Sequence, residues 1–189
     1  PKQQKDLGLE IKQSNLCSEI TLPTNDERTA VCCLSSVNLE HFDEWSKEEK
    51  FIDDLVTMLD NVLEHFIENA VDLNSLGGYN ANYERFKKHI KEGKEGFTKA
   101  AYSAYRERSI GLGAMGFHSY LQNQNIPFEG IFSTGINYKL FKFIKGAAVS
   151  ASRRLAVLRG EAPDISNSGL RNCHLLAVAP NASSIIICW

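Results

Sequence analysis

Three residues near the start of the chain carry side chains that could do chemistry together. Asn15, Cys17 and Glu19 alternate with two other residues. In an extended segment, side chains repeat every second residue, so this amide, thiol and carboxylate would share one face. A carboxylate can accept a proton from a hydroxyl group, an amide can orient a second hydroxyl, and sulfur can do nucleophilic or one-electron chemistry. The alternative is a buried cysteine in an ordinary strand.

A second candidate site lies near the other end of the sequence. Residues 173–179 form an apolar stretch that predicts a buried strand, and Pro180, Asn181, Ala182, Ser183 and Ser184 follow it. If a helix begins in these five residues, its unpaired N–H groups and the two serine hydroxyls form a cup for an anion. The alternative is an ordinary helix N-cap, which Asn and Ser supply routinely.

The vicinal pair Cys32 and Cys33 lies in residues 29–39, which predict a buried strand. Consecutive strand residues point to opposite faces, so these two thiols could not easily bond to each other. One of them therefore faces whatever the sheet encloses. Two interpretations stay open: two small core residues, or a redox thiol that strand pairing brings near Cys17.

Gly111, Gly113 and Gly116 fit the GxGxxG pattern of dinucleotide-binding proteins. The context is wrong, because residues 106–108 are charged where a buried strand should run, and Glu129 comes too early to bind a ribose. Close packing of a helix start against a neighbour explains these glycines better. We therefore reject a nicotinamide-dependent dehydrogenase.

Composition excludes several classes of function. The chain has 189 residues, a net charge of −2 and five cysteines without a CxxC pair. This balance offers no basic stripe for nucleic acid, and the cysteine usage is typical of a reducing cytosol. No apolar run is long enough to span a membrane, and the polar start is no signal peptide. The five histidines lack metal-ligand spacing, so we predict no metal site.

Alternating strands and helices must position the candidate residues. Apolar residues recur at helical spacing over residues 51–70, which predicts the clearest helix. Residues 81–107 predict a helix, a loop and a second helix. A short strand or tight connection at 109–112 leads into a helix through Leu121, and another helix spans 134–158 before Gly160 ends it. This order predicts an α/β fold.

Four blocks of sequence resemble the large catalytic subunit of ribonucleotide reductase, and most closely the class I enzymes of bacteria and their phages. The blocks stand in family order at residues 14–20 (SNLCSEI), 30–39 (AVCCLSSVNL), 108–117 (RSIGLGAMGF) and 171–184 (RNCHLLAVAPNASS). The resemblance implies that residues 1–189 are a partial catalytic barrel domain. It also marks residues 79–106 as a divergent insertion.

The resemblance implies a role for each candidate residue. The fold would be part of a ten-stranded α/β barrel in which Cys17, on a central finger loop, becomes a thiyl radical and removes the 3′ hydrogen of a ribonucleoside diphosphate. Glu19 would accept the 3′-hydroxyl proton, and Asn15 would bind the substrate hydroxyls. Cys32 would be one member of the reducing dithiol, while Cys33 stands where the family usually has another residue. The remaining substrate-binding residues would be Ser14, Pro180, Asn181, Ala182, Ser183 and Ser184.

The resemblance also implies partners. This chain would bind no cofactor itself; a metal-containing small subunit would supply the radical, and a thioredoxin- or glutaredoxin-type protein the reducing equivalents, in an allosteric, cytoplasmic enzyme. The second redox cysteine would precede residue 1, and the radical-relay tyrosines would follow residue 189. We therefore expect the isolated chain to be inactive and to need companion fragments of a split large subunit or its missing regions. The alternative is an inactive remnant that binds nucleotide or partner subunits without catalysis.

Overall fold

A computed structural model describes residues 5–12, 14, 20–77 and 81–187 of the chain. At its centre, strand β1 (Cys33–Asn38) pairs in parallel with strand β2 (Ile110–Met115). The register places Cys33 opposite Ile110 and Asn38 opposite Met115. The predicted strand over 29–39 is thus confirmed, with regular pairing confined to its last part.

Residues 174–177 lie on the other side of β2 as an irregular extended segment. Its one ladder bridge in the described chain joins Leu176 to Leu112 in parallel. The carbonyls of the consecutive residues His174 and Leu175 accept from Ile110 and Leu112 at 3.1 and 2.8 Å. Because two adjacent acceptors serve donors two residues apart, the ladder cannot keep a regular register. The prediction of a buried strand over 173–179 is wrong, because the segment forms no regular ladder and only Ala177 in it is fully buried.

Most of the regular structure between the two strands and after them is helical. They are α1 (Phe42–Trp45), α2 (Phe51–Ala70), α3 (Tyr83–Lys88), α4 (Thr98–Glu107), α5 (Phe117–Asn123), α6 (Ile131–Arg159) and α7 (Ala182–Ile187). Helix α2 has the bounds that its periodicity predicts. The helix–loop–helix predicted over 81–107 appears as α3, a short 3-10 turn (Glu95–Phe97) and α4. Helix α6 is slightly longer than predicted and ends at Gly160, whose φ of 86° suits glycine.

The hydrophobic core lies where α2 packs against α6, α4 and the sheet. One face of α2 is fully buried at three- and four-residue intervals: Ile52, Val56, Leu59, Leu63 and Ile67. The buried residues on the facing side of α6 are Leu140, Ile144, Ala148, Ala151 and Leu155. Burying one large aliphatic side chain contributes roughly 1.5–3 kcal/mol, so this interface holds α2 and α6 together.

Glycines in β2 permit the close approach of its neighbours. A Cβ atom at Gly111 would lie 2.6 Å from the Cβ of Ala177, and one at Gly113 would collide with the Ala177 carbonyl. Gly116, immediately before α5, has a φ of 74° that favours glycine. The packing interpretation of the glycine motif is confirmed, and the close contact extends from the helix start back into the strand.

Candidate functional site

A cavity of about 570 Å³ opens beside the start of β1. This volume is within the range of small-molecule sites. The cavity is lined by two stretches of chain that flank a polar turn, and its residues are Lys12, Ser14, Ile20, Leu22, Thr24, Thr29, Ala30 and Cys32. Two of the predicted site residues, Ser14 and Cys32, thus line the same cavity.

The two vicinal cysteines lie in different surroundings, as strand alternation predicts. Cys32 is half-buried and lines the cavity, whereas Cys33 pairs opposite Ile110 and packs against the hydrophobic core. Burial raises the pKa of the Cys33 thiol. A thiol with a raised pKa in an apolar environment is a poor nucleophile. The geometry therefore favours Cys32 over Cys33 as the thiol available to a bound molecule.

Asn15, Cys17 and Glu19 lie outside the described residues. Their described neighbours in the chain are Ser14 and Ile20, and both line the same cavity as Cys32. The roles predicted for Asn15, Cys17 and Glu19 stay predictions.

The predicted anion cup lies at a helix start. Helix α7 begins at Ala182, directly after Asn181, whose φ is 56°. The Asn181 amide donates to the carbonyls of Ala179 at 2.8 Å and Ala114 at 3.4 Å. Pro180, Ala182 and Ser183 are exposed. The predicted helix start is confirmed, while its use by a diphosphate stays a prediction.

The two groups of candidate residues lie at opposite ends of the sheet. Cys32 directly precedes β1, whereas Asn181 contacts the carbonyl of Ala114, which pairs opposite Val37 near the end of β1. Val37 is five residues after Cys32. In an extended chain their Cα atoms are about 17 Å apart. An elongated ligand would be needed to contact both.

A buried ion cluster that sequence reasoning missed adjoins the cavity-lining loop. Arg28 donates to Glu107 at 3.0 Å and to both carboxylate oxygens of Asp164, and Arg106 donates to Asp164 at 2.7 Å. These partners stand 79 and 136 positions from Arg28, so no local spacing could reveal them. The one signal in the sequence is an arginine in a short polar turn between two apolar segments.

The electrostatics of this ion cluster are set by burial and by Arg28. Burial raises the pKa of Glu107 to about 7, although the Arg28 charge opposes this shift. Burial alone would lower the pKa of Arg28, but Asp164 and Glu107 together outweigh it and raise that pKa. The thiol of Cys173 also has a raised pKa, first because of burial and then because of the charges of Glu107 and Asp164. Cys173 is therefore an unreactive thiol.

Metal-ligand geometry is absent from the part of the chain that the structure describes. No group of three or more His, Cys, Asp or Glu side chains there could hold a metal ion. His174 is half-buried, its Nδ1 lies 3.0 Å from the Ser109 hydroxyl, and burial lowers its pKa. Over the same described ranges, no helix is long and apolar enough to cross a membrane.

A family model described as the ribonucleotide reductase barrel domain matches residues 2–168. The chain belongs to this family. The predicted α/β barrel fold is thereby confirmed, as a part of the barrel. Whether residues 79–106 are an insertion stays a prediction.

Individual relatives agree with the family assignment. The chain is 45% identical, over 99% of its length, to a ribonucleoside-diphosphate reductase large subunit of Invertebrate iridescent virus 3. It is 42% identical, over 90% of its length, to the large subunit of Invertebrate iridescent virus 6. A solved structure, the Actinobacillus ureae class Id ribonucleotide reductase alpha subunit, matches 99% of the chain at 34% identity with a TM-score of 0.81.

The chain spans only a part of these proteins. It covers 26% and 15% of the two viral large subunits and 32% of the solved alpha subunit. The family model covers the first three sequence blocks and ends before the fourth, at residues 171–184. Activity, substrates and partners of the whole subunit are therefore matters of proposal for this chain.

Proposed function

We propose that this chain supplies the active-site part of a ribonucleoside-diphosphate reductase large subunit. One observation carries the proposal: in a chain of the barrel family, the Cys32 thiol lines a cavity together with Ser14 and Ile20, the residues on either side of the 15–19 segment. A reducing thiol must share a compartment with the substrate and with the residues that activate it. Cys33, which packs against the hydrophobic core and does not line the cavity, does not meet this requirement.

The proposed reaction replaces the 2′-hydroxyl of a ribonucleoside diphosphate by hydrogen. A thiyl radical at Cys17 takes the 3′ hydrogen, and the carboxylate of Glu19 accepts the 3′-hydroxyl proton while Asn15 orients the hydroxyl groups. Cys32 and a second thiol from the rest of the large subunit give up two electrons and two protons and become a disulfide. One proton goes to the 2′-hydroxyl, which leaves as water, and the other proton and the two electrons form the new C–H bond at the 2′ carbon. Glu19 returns its proton to the 3′ oxygen, and the 3′ hydrogen returns from Cys17, which regains its radical.

The diphosphate would bind at the start of α7. The exposed residues Ala182 and Ser183 offer backbone N–H groups and a hydroxyl, and no Lys or Arg stands in residues 180–184. Backbone N–H groups at a helix start bind phosphate oxygens without a charged side chain. Holding the phosphates there and the sugar near Cys32 would use both ends of the sheet.

Three partners complete the proposal. A metal-containing small subunit would generate the radical, a thioredoxin- or glutaredoxin-type protein would reduce the disulfide, and the remaining large-subunit sequence would close the barrel. Split-subunit fragments could supply that sequence. The cysteines require a reducing compartment such as the cytoplasm to remain thiols between turnovers.

The test is deoxyribonucleotide formation by the complete large subunit that contains this chain, with its small subunit and a dithiol reductant. Cys17→Ser should abolish turnover and retain binding of the ribonucleoside diphosphate. Cys32→Ser should abolish turnover with the dithiol reductant, whereas Cys33→Ser, the matched control, should retain most of it. Turnover by Cys17→Ser would contradict the thiyl assignment. Nucleotide binding without turnover by the unsubstituted assembly would instead favour an inactive remnant.

A further inference from the structure

We propose that Arg28 is a positioning residue for the Cys32 thiol. Its side chain anchors the turn between the two cavity-lining stretches to a buried ion cluster on α4 and the following chain. The inference rests on the proposed function only in assigning a catalytic task to Cys32. The anchoring itself follows from contacts within the described chain.

The first step is the geometry of the turn that carries Arg28. The backbone N–H of Asn25 donates to the Arg28 carbonyl at 3.0 Å, and the Arg28 N–H donates to the Asn25 side chain at 2.9 Å. The Ala30 N–H donates to the Thr24 hydroxyl at 3.3 Å, so a further hydrogen bond joins the residues on either side of the turn. Thr24 and Ala30 both line the cavity with Cys32. Moving this turn therefore moves the cavity wall.

The second step is how firmly the turn is held. The Arg28 side chain is 7% exposed, and its two Nη atoms contact the two carboxylate oxygens of Asp164 as a fork. A third contact reaches Glu107 at 3.0 Å, and the guanidinium carbon lies 5.5 Å from the centre of the Tyr102 ring. A planar fork on a carboxylate fixes orientation as well as distance. Next to it, the Thr29 N–H donates to the Lys99 carbonyl at 3.3 Å.

The third step connects the anchor to the thiol. Cys32 stands four residues after Arg28 and directly before β1, so its position has two constraints. The sheet holds the chain from Cys33 onward, and the Arg28 anchor holds it on the other side. Lysine would keep the charge but could not form the fork. Without the fork, the chain before β1 could shift while the sheet stays paired.

The experiment compares Arg28→Lys with the unsubstituted complete large subunit. Displacing a reacting group by 1 Å can cost on the order of 100-fold in rate, so we expect kcat to fall by at least about tenfold. The KM for the ribonucleoside diphosphate should stay within about twofold, because the proposed phosphate site lies at the other end of the sheet. Alkylation of Cys32 by a maleimide, located by peptide fragmentation, should accelerate at least about threefold, while Cys33 should react as before.

A matched control is Arg154→Lys. Arg154 also contacts both oxygens of a carboxylate, donating from Nε and Nη2 to Asp53 at 2.8 and 2.6 Å, but on the exposed surface between α2 and α6. It should change neither kcat nor either alkylation rate. Asp164→Asn is the second test variant; it keeps Arg28, weakens its fork, and should reproduce the selective acceleration at Cys32.

Specific outcomes would overturn the inference. Unchanged kcat and unchanged Cys32 alkylation in Arg28→Lys would show that the anchor does not position the thiol. Parallel acceleration at Cys32 and Cys33 would show a general loss of stability and no positioning role. If the unsubstituted assembly makes no deoxyribonucleotide, the proposed function fails, and the two alkylation rates still decide whether Arg28 positions Cys32.

Discussion

Two buried ion clusters flank the junction between α4 and β2, and they differ in what they hold together. The frame cluster consists of Asp60, Glu64, Arg108, Arg159 and Arg171, and the loop cluster of Arg28, Arg106, Glu107 and Asp164. The consecutive residues Glu107 and Arg108 belong to different clusters. Arg108, directly after the end of α4, has a φ of 45°, and this left-handed conformation helps to direct the two side chains to separate clusters.

The frame cluster joins regular elements. Asp60 of α2 is fully buried and accepts from Arg159 of α6 at 2.8 Å, from Arg171 at 3.3 Å and from Asn172 at 3.2 Å. Glu64, one turn further along α2, contacts Arg108 and Arg171. The cluster therefore ties the helical layer to the chain that enters and flanks β2.

The loop cluster attaches an irregular segment. It contains two arginines and two carboxyl groups, and Oε2 of Glu107 has no hydrogen-bond partner among the described residues. We therefore expect the frame cluster to contribute more to the stability of the domain. We expect the loop cluster to affect the position of the cavity wall and the response of stability to pH.

The largest effect should come from the frame cluster. Asp60→Ala leaves three arginines near one remaining carboxylate, and breaking a buried ion pair in this way costs roughly 3–5 kcal/mol. Chemical denaturation of the polypeptide that contains this chain would measure the loss in the free energy of unfolding. A loss below about 1 kcal/mol would mean that the Asp60 ion pairs contribute no more than exposed ones do. The proposed distinction between the two clusters would then fail.

The loop cluster should make stability depend on pH through Glu107. Its folded pKa of about 7 lies above the ordinary glutamate value of 4.5. The protonated carboxyl is thus favoured by folding: its contribution is fully present below pH 4.5 and is lost as the pH rises through 7. Since one pKa unit corresponds to about 1.4 kcal/mol, the full loss is on the order of 3–4 kcal/mol.

Glu107→Gln should remove this pH dependence, because the amide does not titrate. Denaturation at pH 5 and at pH 8 would measure the difference in the free energy of unfolding. Glu49→Gln, at an exposed position, is the matched control and should retain the slope. A slope that survives in Glu107→Gln would mean that another group carries it.

The smallest effect should come from an ion pair outside both clusters. Arg154→Ala removes an exposed fork on Asp53, and exposed pairs contribute only about 0–1 kcal/mol. The same denaturation assay measures it beside Asp60→Ala. An equal loss in both variants would show that burial does not distinguish the frame cluster from the surface.

Local sequence patterns predicted much of the fold. The apolar periodicity of residues 51–70 predicted α2 to its ends, and alternation around Cys32 and Cys33 predicted that the two thiols face different surroundings. The charged residues before Gly111 and the early position of Glu129 together argued against a dinucleotide site. The apolar stretch 173–179 was misjudged, because apolar character does not reveal whether the hydrogen-bond ladder keeps its register.

The sequence by itself determined the family, through four ordered blocks, and the elements, through periods that neighbouring residues impose on a helix or strand. The tertiary structure alone decided which thiol lines the cavity and that the cavity and the α7 start lie at opposite ends of the sheet. It alone also joined Arg28 to partners 79 and 136 positions away. Local periodicity is set by bonded geometry, whereas such long-range pairs depend on how the packed elements bring distant charges into one buried space.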